Sequence, residues 1–262
     1  MRKRMFGLER SSLTLLAVLV SVSASGIAAA GTVVPCDGNC TYSIEVDGIE
    51  VQTGDYTVDP LTGAISLPGP VSVDLGGGAT VSLNSLSGNS DPILGFNASA
   101  STGAAGKTFS FAFSLPIDLS GPLKASSAVS YSLTSTTAAG AQVDPLFGHV
   151  VVAQDVDSSI GGLPPLNKGV DVGDRFFFTG QDTQNSPVYK ANSTLTGNPA
   201  YDLMSVVLGF SLSANSNVGL SGSVQQNPVP LPAGVWLLGS AILGLAGLRR
   251  RRADNNLTAV CA

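Results

Sequence analysis

The segment "KTFSFAFSLPIDL", residues 107–119, places Phe109, Phe111 and Phe113 on every second position, with Ser110, Ala112 and Ser114 between them. A period of two sets the three rings on one side of an extended strand and cannot build the apolar stripe of a helix. Packing beneath one sheet face is therefore the expectation for these rings, ahead of a carbohydrate-stacking row. The same period recurs along the chain. "TYSIEVDG" puts Tyr42, Ile44 and Val46 on one face, and "SVVLGFSLSA" does so with Val206, Leu208, Phe210 and Leu212. "VSVDLGGGATVSL" has Val71, Val73 and Leu75 before a glycine turn, with Val81 and Leu83 after it, the pattern of a hairpin. "SAVSYSLTS", "HVVVAQDV" and "DRFFFTG" read as further short strands, with Phe176 and Phe178 sharing a face and Phe177 on the other.

Turn clusters separate these strands: "SGNSDP", "IGGLPPLNKG" and "TGNPA". No helical period is long enough for the crossover that parallel strands require. The expected fold class is thus all-β, a single antiparallel β-sandwich of jelly-roll type. Composition agrees: charged residues are 12%, about half the usual share, and the chain holds 31 glycines. No repeat or internal linker divides the body.

Charge is distributed unevenly. Between residues 31 and 232 the only cations are Lys107, Lys124, Lys168, Arg175 and Lys190, against 16 acidic residues, a net charge of −11. Such a body repels nucleic acid and anionic headgroups, so nucleic-acid binding is excluded as an expectation. The remaining arginines and Lys3 cluster at the two ends.

Those ends read as addresses. Residues 1–30 combine a basic start, an apolar run from Leu13 to about Val22 and small residues thereafter. Ala28 and Ala30 fit the small-x-small rule for signal peptidase, with cleavage before Gly31. The other reading is a retained membrane helix, but the apolar core is short and small residues follow it. Export places Cys36 and Cys40, in "CDGNC", where thiols oxidise. A disulfide between them is the expectation, since Asp37, Gly38 and Asn39 form turns readily. The spacing differs from the two-residue redox motif, and the only histidine, His149, is distant, which disfavours a metal site.

Near the other end stands "VPLPAGVWLLGSAILGLAGLRRRR". Residues 233–248 carry no charge, and as a helix they would rise roughly 24 Å, short of the roughly 30 Å hydrocarbon core. Arg249, Arg250, Arg251 and Arg252 form a stop-transfer cluster that stays cytoplasmic and leaves residues 31–228 outside. Pro230 and Pro232 hold Val229 and Leu231 extended above the helix, an extended shape of the kind proteases bind.

This stretch, with Val229, Pro230, Leu231, Pro232 and Ala233 as its motif, resembles the VPLPA variant of the PEP-CTERM sorting signal of Gram-negative bacteria. The resemblance implies recognition and processing by an exosortase, a membrane-embedded cysteine protease. It further implies a transient inner-membrane anchor, release to the cell surface or matrix, and association with exopolysaccharide or biofilm. The tail "ADNNLTAVCA" extends past the arginines and carries Cys261. The phrase "DPILGFNASASTGAAGKTFSFAFSLPIDL" is also similar to the sandwich ectodomains of such proteins. The organisation read from these features is a signal peptide over 1–30, a sandwich over 31–224 and a stalk with the sorting motif over 225–232. A transmembrane helix over 233–248 and a basic tail over 249–262 complete it.

Chemistry is sparse. Asp155 with Asp157, and Asp171 with Asp174, place hard oxygen ligands beside turns, the one calcium pattern to weigh. Turn capping by aspartate is commoner, and no cofactor is expected. Glu45 and Glu50 are the only glutamates of the body, so a carboxylate pair for glycoside hydrolysis is not marked. His149 lies at a strand start, where a structural role is the default, and no G-x-S-x-G elbow or phosphate-binding glycine loop occurs. The first expectation is a non-enzymatic surface or matrix protein, and the alternative is a carbohydrate-binding module, calcium-assisted or not. For stacking on sugars, Tyr189, Tyr201 and Phe177 are the open candidates.

Overall fold

The computed structural model describes residues 40–89, 92–120, 122–156, 170–195 and 200–229, all inside the unit Gly31–Val229. The signal peptide, Gly31, Cys36, Asp157, the motif from Pro230 to Ala233, the apolar span and the arginine cluster lie outside the described residues.

The alternating run predicts a strand and is one. β8 (Lys107–Ser120) buries Phe109, Phe111, Phe113, Leu115, Ile117 and Leu119. It pairs antiparallel with β1 (Thr41–Val46) on one side and β15 (Ala200–Leu212) on the other. Pro116, which has no N–H to give a ladder, lies beyond the last β1 pair, Thr41 with Ser114, where that flank of β8 is an edge among the described residues. β1 turns into β2 (Ile49–Asp55) through Asp47 and Gly48, both at positive φ (53° and 76°), the two-residue Asp-Gly turn that matches strand twist. On the far side of β15 come β10 (Ala141–Pro145) and then β12 (Phe176–Phe178), while β11 (Val151–Val156) also pairs with β15. This first sheet is antiparallel throughout the described residues.

The second sheet has β16 (Ser216–Pro228) at its centre, between β7 (Ile93–Ser101) and β9 (Leu123–Ser135). β6 (Ala79–Asn89) continues outward from β7 to β4 (Ala64–Ser66) and β3 (Thr57–Val58), and also carries β5 (Val71–Gly76). β9 carries β13 (Thr183–Asn185) and β14 (Tyr189–Leu195). β5 and β6 form the expected hairpin, turned by Gly76, Gly77 and Gly78, all at positive φ.

The sheets face each other across one core. Phe96 of β7 stacks on Phe113 of β8 across the gap, centroids 6.2 Å apart and planes 15° from parallel. Phe210 of β15 meets Phe109 and Phe111 of β8 at 5.6 and 6.5 Å. Among the described residues the fold is all-β, with two antiparallel sheets arranged as in a β-sandwich. The rows of alternate residues facing inward supply the apolar burial that holds it.

Two expected boundaries move. "SGNSDP" reads as a turn, but β6 runs through Gly88 and Asn89, which pair with Leu94 and Ile93. The segment from Gln225, read as the start of a stalk, is the end of β16 instead: Gln225 to Pro228 pair with Ser126 to Leu123, and the Val229 N–H donates to Pro122. Gln226 is buried there. Polar side chains disguise this strand end because its neighbours, not its own sequence, supply the apolar cover.

The outer face of the second sheet is hydroxyl- and amide-rich. Thr80 bonds Ser101 at 2.8 Å, Ser82 donates to Ser72 at 2.8 Å, and Asn84 donates to Asn97 at 2.9 Å. These cross-strand bonds knit small side chains into a nearly uncharged surface.

Candidate functional site

The outer face of the first sheet differs in kind. In β10, Ala141 and Val143 point into the core, so Gln142 and Asp144 point out. Register sets Phe177 of β12 opposite Gln142, and Phe178 opposite Ala141. Phe177 is therefore on the outside, 61% exposed, as the alternation predicts. Arg175, just before β12, holds one face of that ring, its guanidinium carbon 5.1 Å from the centroid. The same guanidinium pairs with Asp144 at 2.9 Å and donates to Gln142 at 2.7 Å. Gln142 in turn donates to Asp144. The network fixes a long side chain that would otherwise sample many rotamers.

A second aromatic, Phe147, follows β10 in "DPLFGHV" and is 55% exposed. Its ring lies over Gly209 of β15, and a β-carbon there would collide with ring carbons Cε2 and Cδ2. Leu208 and Phe210 are buried on either side of Gly209, so the glycine faces outward and the ring covers the outer face. The chain is tied there by two bonds, Leu146 N–H to Gly209 carbonyl (3.1 Å) and Gly209 N–H to Val150 carbonyl (2.8 Å).

Beside Gln142 and Asp144 lies a shallow depression of about 380 Å³, lined also by Asp47, Lys107, Thr108 and Ser211. Lys107 pairs with Asp47 at 2.8 Å, and the Thr108 N–H donates to the same carboxylate at 2.9 Å. The Lys107 hydrogen bond, with the Thr108 amide, holds the Asp47 carboxyl below its ordinary range. A neighbouring hollow of about 340 Å³ runs past Gly140, Phe177, Ser213 and Asn215. Each cation on this face has its own carboxylate, so the surface offers paired charges, hydroxyls, an amide and two rings.

The other sites expected from sequence fall elsewhere. Cys40 is buried and disulfide-bonded; its partner lies outside the described residues. Asp171 accepts a hydrogen bond from the Ala153 N–H at 3.3 Å, and Asp174 lies 3.5 Å from His149 Nδ1. The backbone of Asp155 pairs with Met204 inside β11. Among the described residues no three His, Cys, Asp or Glu side chains gather into a metal-holding group, and no helix is long and apolar enough to cross a membrane. Tyr189 packs on Tyr131 at 5.4 Å and is not an open platform. Tyr201 pairs with Leu119 in β15. Burial pushes the Tyr131 hydroxyl up, helped by Tyr189 and Asp174, and burial alone pushes Tyr56 up.

Of the three stacking candidates, the structure leaves Phe177 exposed. The sequence reading missed Phe147, Gln142 and Asp144. A signal for Phe147 existed: a large ring among Pro145, Leu146 and Gly148 sits outside every alternating run, so no strand period turns it inward.

No protein-family profile and no curated protein matches the chain. Among solved structures it is similar to the enzymatically active domain of tailspike protein 4 of bacteriophage CBA120, with 10% identity and a TM-score of 0.24 over 62% of this chain. The chain spans about a fifth of that protein, 19% of its length. It is also similar to the CBM22-1 xylan-binding domain of Xyn10C from Paenibacillus barcinonensis, with 12% identity, a TM-score of 0.22, and coverage of 63% of this chain and 88% of that one. Likeness of this extent decides neither fold nor function.

Proposed function

We propose that the chain is an exported surface or extracellular-matrix protein, non-enzymatic, whose C-terminal VPLPA-type segment is recognised and processed by an exosortase and which associates with exopolysaccharide. The observation that supports export is the disulfide at Cys40, a bond that persists in oxidising compartments and is rare in the cytosol, while the sorting part of the reading rests on the sequence of residues 229–252. It agrees with the basic, apolar and small-residue order of residues 1–30. In this reading the body has a jelly-roll winding. The order β7-β16-β9-β13 in one sheet and β8-β15-β10-β12 in the other supports it, with the chain from β7 onward switching sheets at β7–β8, β8–β9, β9–β10, β12–β13, β14–β15 and β15–β16. The test is the intact mass of the protein recovered from the cell surface. A form beginning near Gly31 and ending close to Pro232 is the expected result, and full retention of residues 233–262 would replace it with a permanent anchor.

A second reading, a carbohydrate-binding module, is favoured by one specific observation. Phe177 and Phe147 are both exposed on the outer face of one sheet, with Gln142, Asp144 and Ser211 close by. Sugar sites combine such rings with a few fixed polar groups. The two readings are compatible, since a matrix protein needs something to hold.

A further inference from the structure

We propose that the outer face of the first sheet binds a linear, uncharged polysaccharide, with sugar rings stacked on Phe177 and on Phe147. The proposal rests on the carbohydrate-binding reading and gives it a site and a ligand class.

Backbone register gives the spacing. Gln142 and Ser213 exchange hydrogen bonds, Gln142 N–H to Ser213 Oγ at 2.9 Å and Ser213 N–H to Gln142 carbonyl at 3.0 Å, so Phe177 lies level with Ser213. Phe147 covers Gly209, four residues back along β15. Four residues rise about 13 Å and two strand spacings add about 10 Å sideways, so the platforms stand roughly 16 Å apart. That separation suits a short oligosaccharide segment and is too wide for one monosaccharide to touch both rings.

The groups nearby select the chemistry. Gln142, Thr108 and Ser211 each donate and accept, which suits a ligand made of hydroxyls. Asp144 and Asp47 keep carboxylate lone pairs for hydroxyl donors, while Arg175 and Lys107 cancel their charge. A polyanion would meet those carboxylates, and a polycation would find them already paired. With Arg175 on one face of Phe177, the other face remains for the C–H face of a sugar ring.

The experiment is affinity electrophoresis of the full chain, solubilised in detergent, through gels containing xylan, galactomannan or mixed-linkage glucan, with alginate as the anionic comparison. At least one neutral polymer is expected to retard the protein, with little dependence on salt. Phe177→Ala and Phe147→Ala should each weaken that retardation about tenfold, Gln142→Ala should weaken it less, and Ser221→Ala on the opposite sheet should not change it. Both rings are exposed, so near-ultraviolet circular dichroism of the variants should match the parent. If no neutral polymer retards the parent chain, the carbohydrate reading itself is overturned. If retardation survives both phenylalanine substitutions, the site is wrong while the reading stands. If only alginate retards, and salt abolishes it, the ligand class is wrong.

Discussion

The Cδ2–Cε2 edge of Phe147 rests against Gly209, so the backbone of β15 is the floor beneath that side of its ring. A methyl group at position 209 takes the ring's place. Gly209→Ala is therefore expected to lift Phe147 without disturbing the buried Leu208 and Phe210, and to weaken polysaccharide retardation about as much as Phe147→Ala does. Thermal melting should shift by only a few degrees, the mark of a change of about 1 kcal/mol. A large loss of melting temperature would mean that the ring is part of the fold.

Phe113 and Phe96 join the two sheets by their stacked rings. Phe113→Ala leaves a cavity between sheets that cannot close around it, at a cost of about 3–5 kcal/mol. Urea denaturation should show the midpoint falling with little change in slope, and an unchanged midpoint would deny the shared core.

Two buried tyrosines differ in one bond. Tyr56 donates its hydroxyl to the Ser114 carbonyl at 2.7 Å, whereas the buried Tyr131 hydroxyl has no hydrogen-bond partner among the described residues. Tyr56→Phe should cost about 1 kcal/mol and Tyr131→Phe should be neutral or stabilising by about the same amount. Chemical denaturation of the two variants against the parent settles the contrast, and an equal loss in both would refute it.

The same residues set the alkaline limit. Burial raises both hydroxyls above their ordinary value near 10. Unfolded tyrosine ionises there while the folded residue keeps its proton, so stability is full below pH 10 and falls as pH rises beyond it. Each buried tyrosine contributes a slope of about 1.4 kcal/mol per pH unit. Denaturation curves between pH 9 and 12 should steepen accordingly, and Tyr131→Phe should flatten them.

Acid acts through Asp47, whose carboxyl is held low first by the Lys107 hydrogen bond and then by the Thr108 amide. A lowered carboxyl contributes stability that is complete above its unfolded value near 4 and is lost as pH falls through the folded one. The pair is exposed, so the effect is small, within about 1 kcal/mol. Lys107→Met should shrink the difference in melting temperature between pH 6 and pH 3 by lowering the neutral plateau within that small amount, while the value at pH 3 stays nearly unchanged.

Strand identity was legible wherever apolar residues alternate over several positions, as in β1, β8 and β15, because one face of each is covered by a single core. Legibility failed where cover comes from neighbours. The polar end of β16 at Gln225–Asn227 is a strand because β9 pairs with it, and nothing in "QQNP" announces that. The candidate site divides the same way. Phe177 stood out because the alternation of "RFFF" turns one ring outward. Gln142 and Asp144 acquire meaning only when β12 and the Arg175 side chain arrive from more than thirty positions downstream, at 33 residues' separation for the Gln142 contact.

The placement of β15 and β16 has a temporal consequence. Each is the central strand of its sheet, β15 between β8 and β10, β16 between β7 and β9, yet both come last among the described strands. Until residues 200–228 are available, each sheet is split down the middle, and β7, β8 and β9 present unpaired edges. A chain delivered amino end first therefore cannot complete its fold partway. The last two described strands work as a latch, closing both sheets only once residues 200–228 have been delivered.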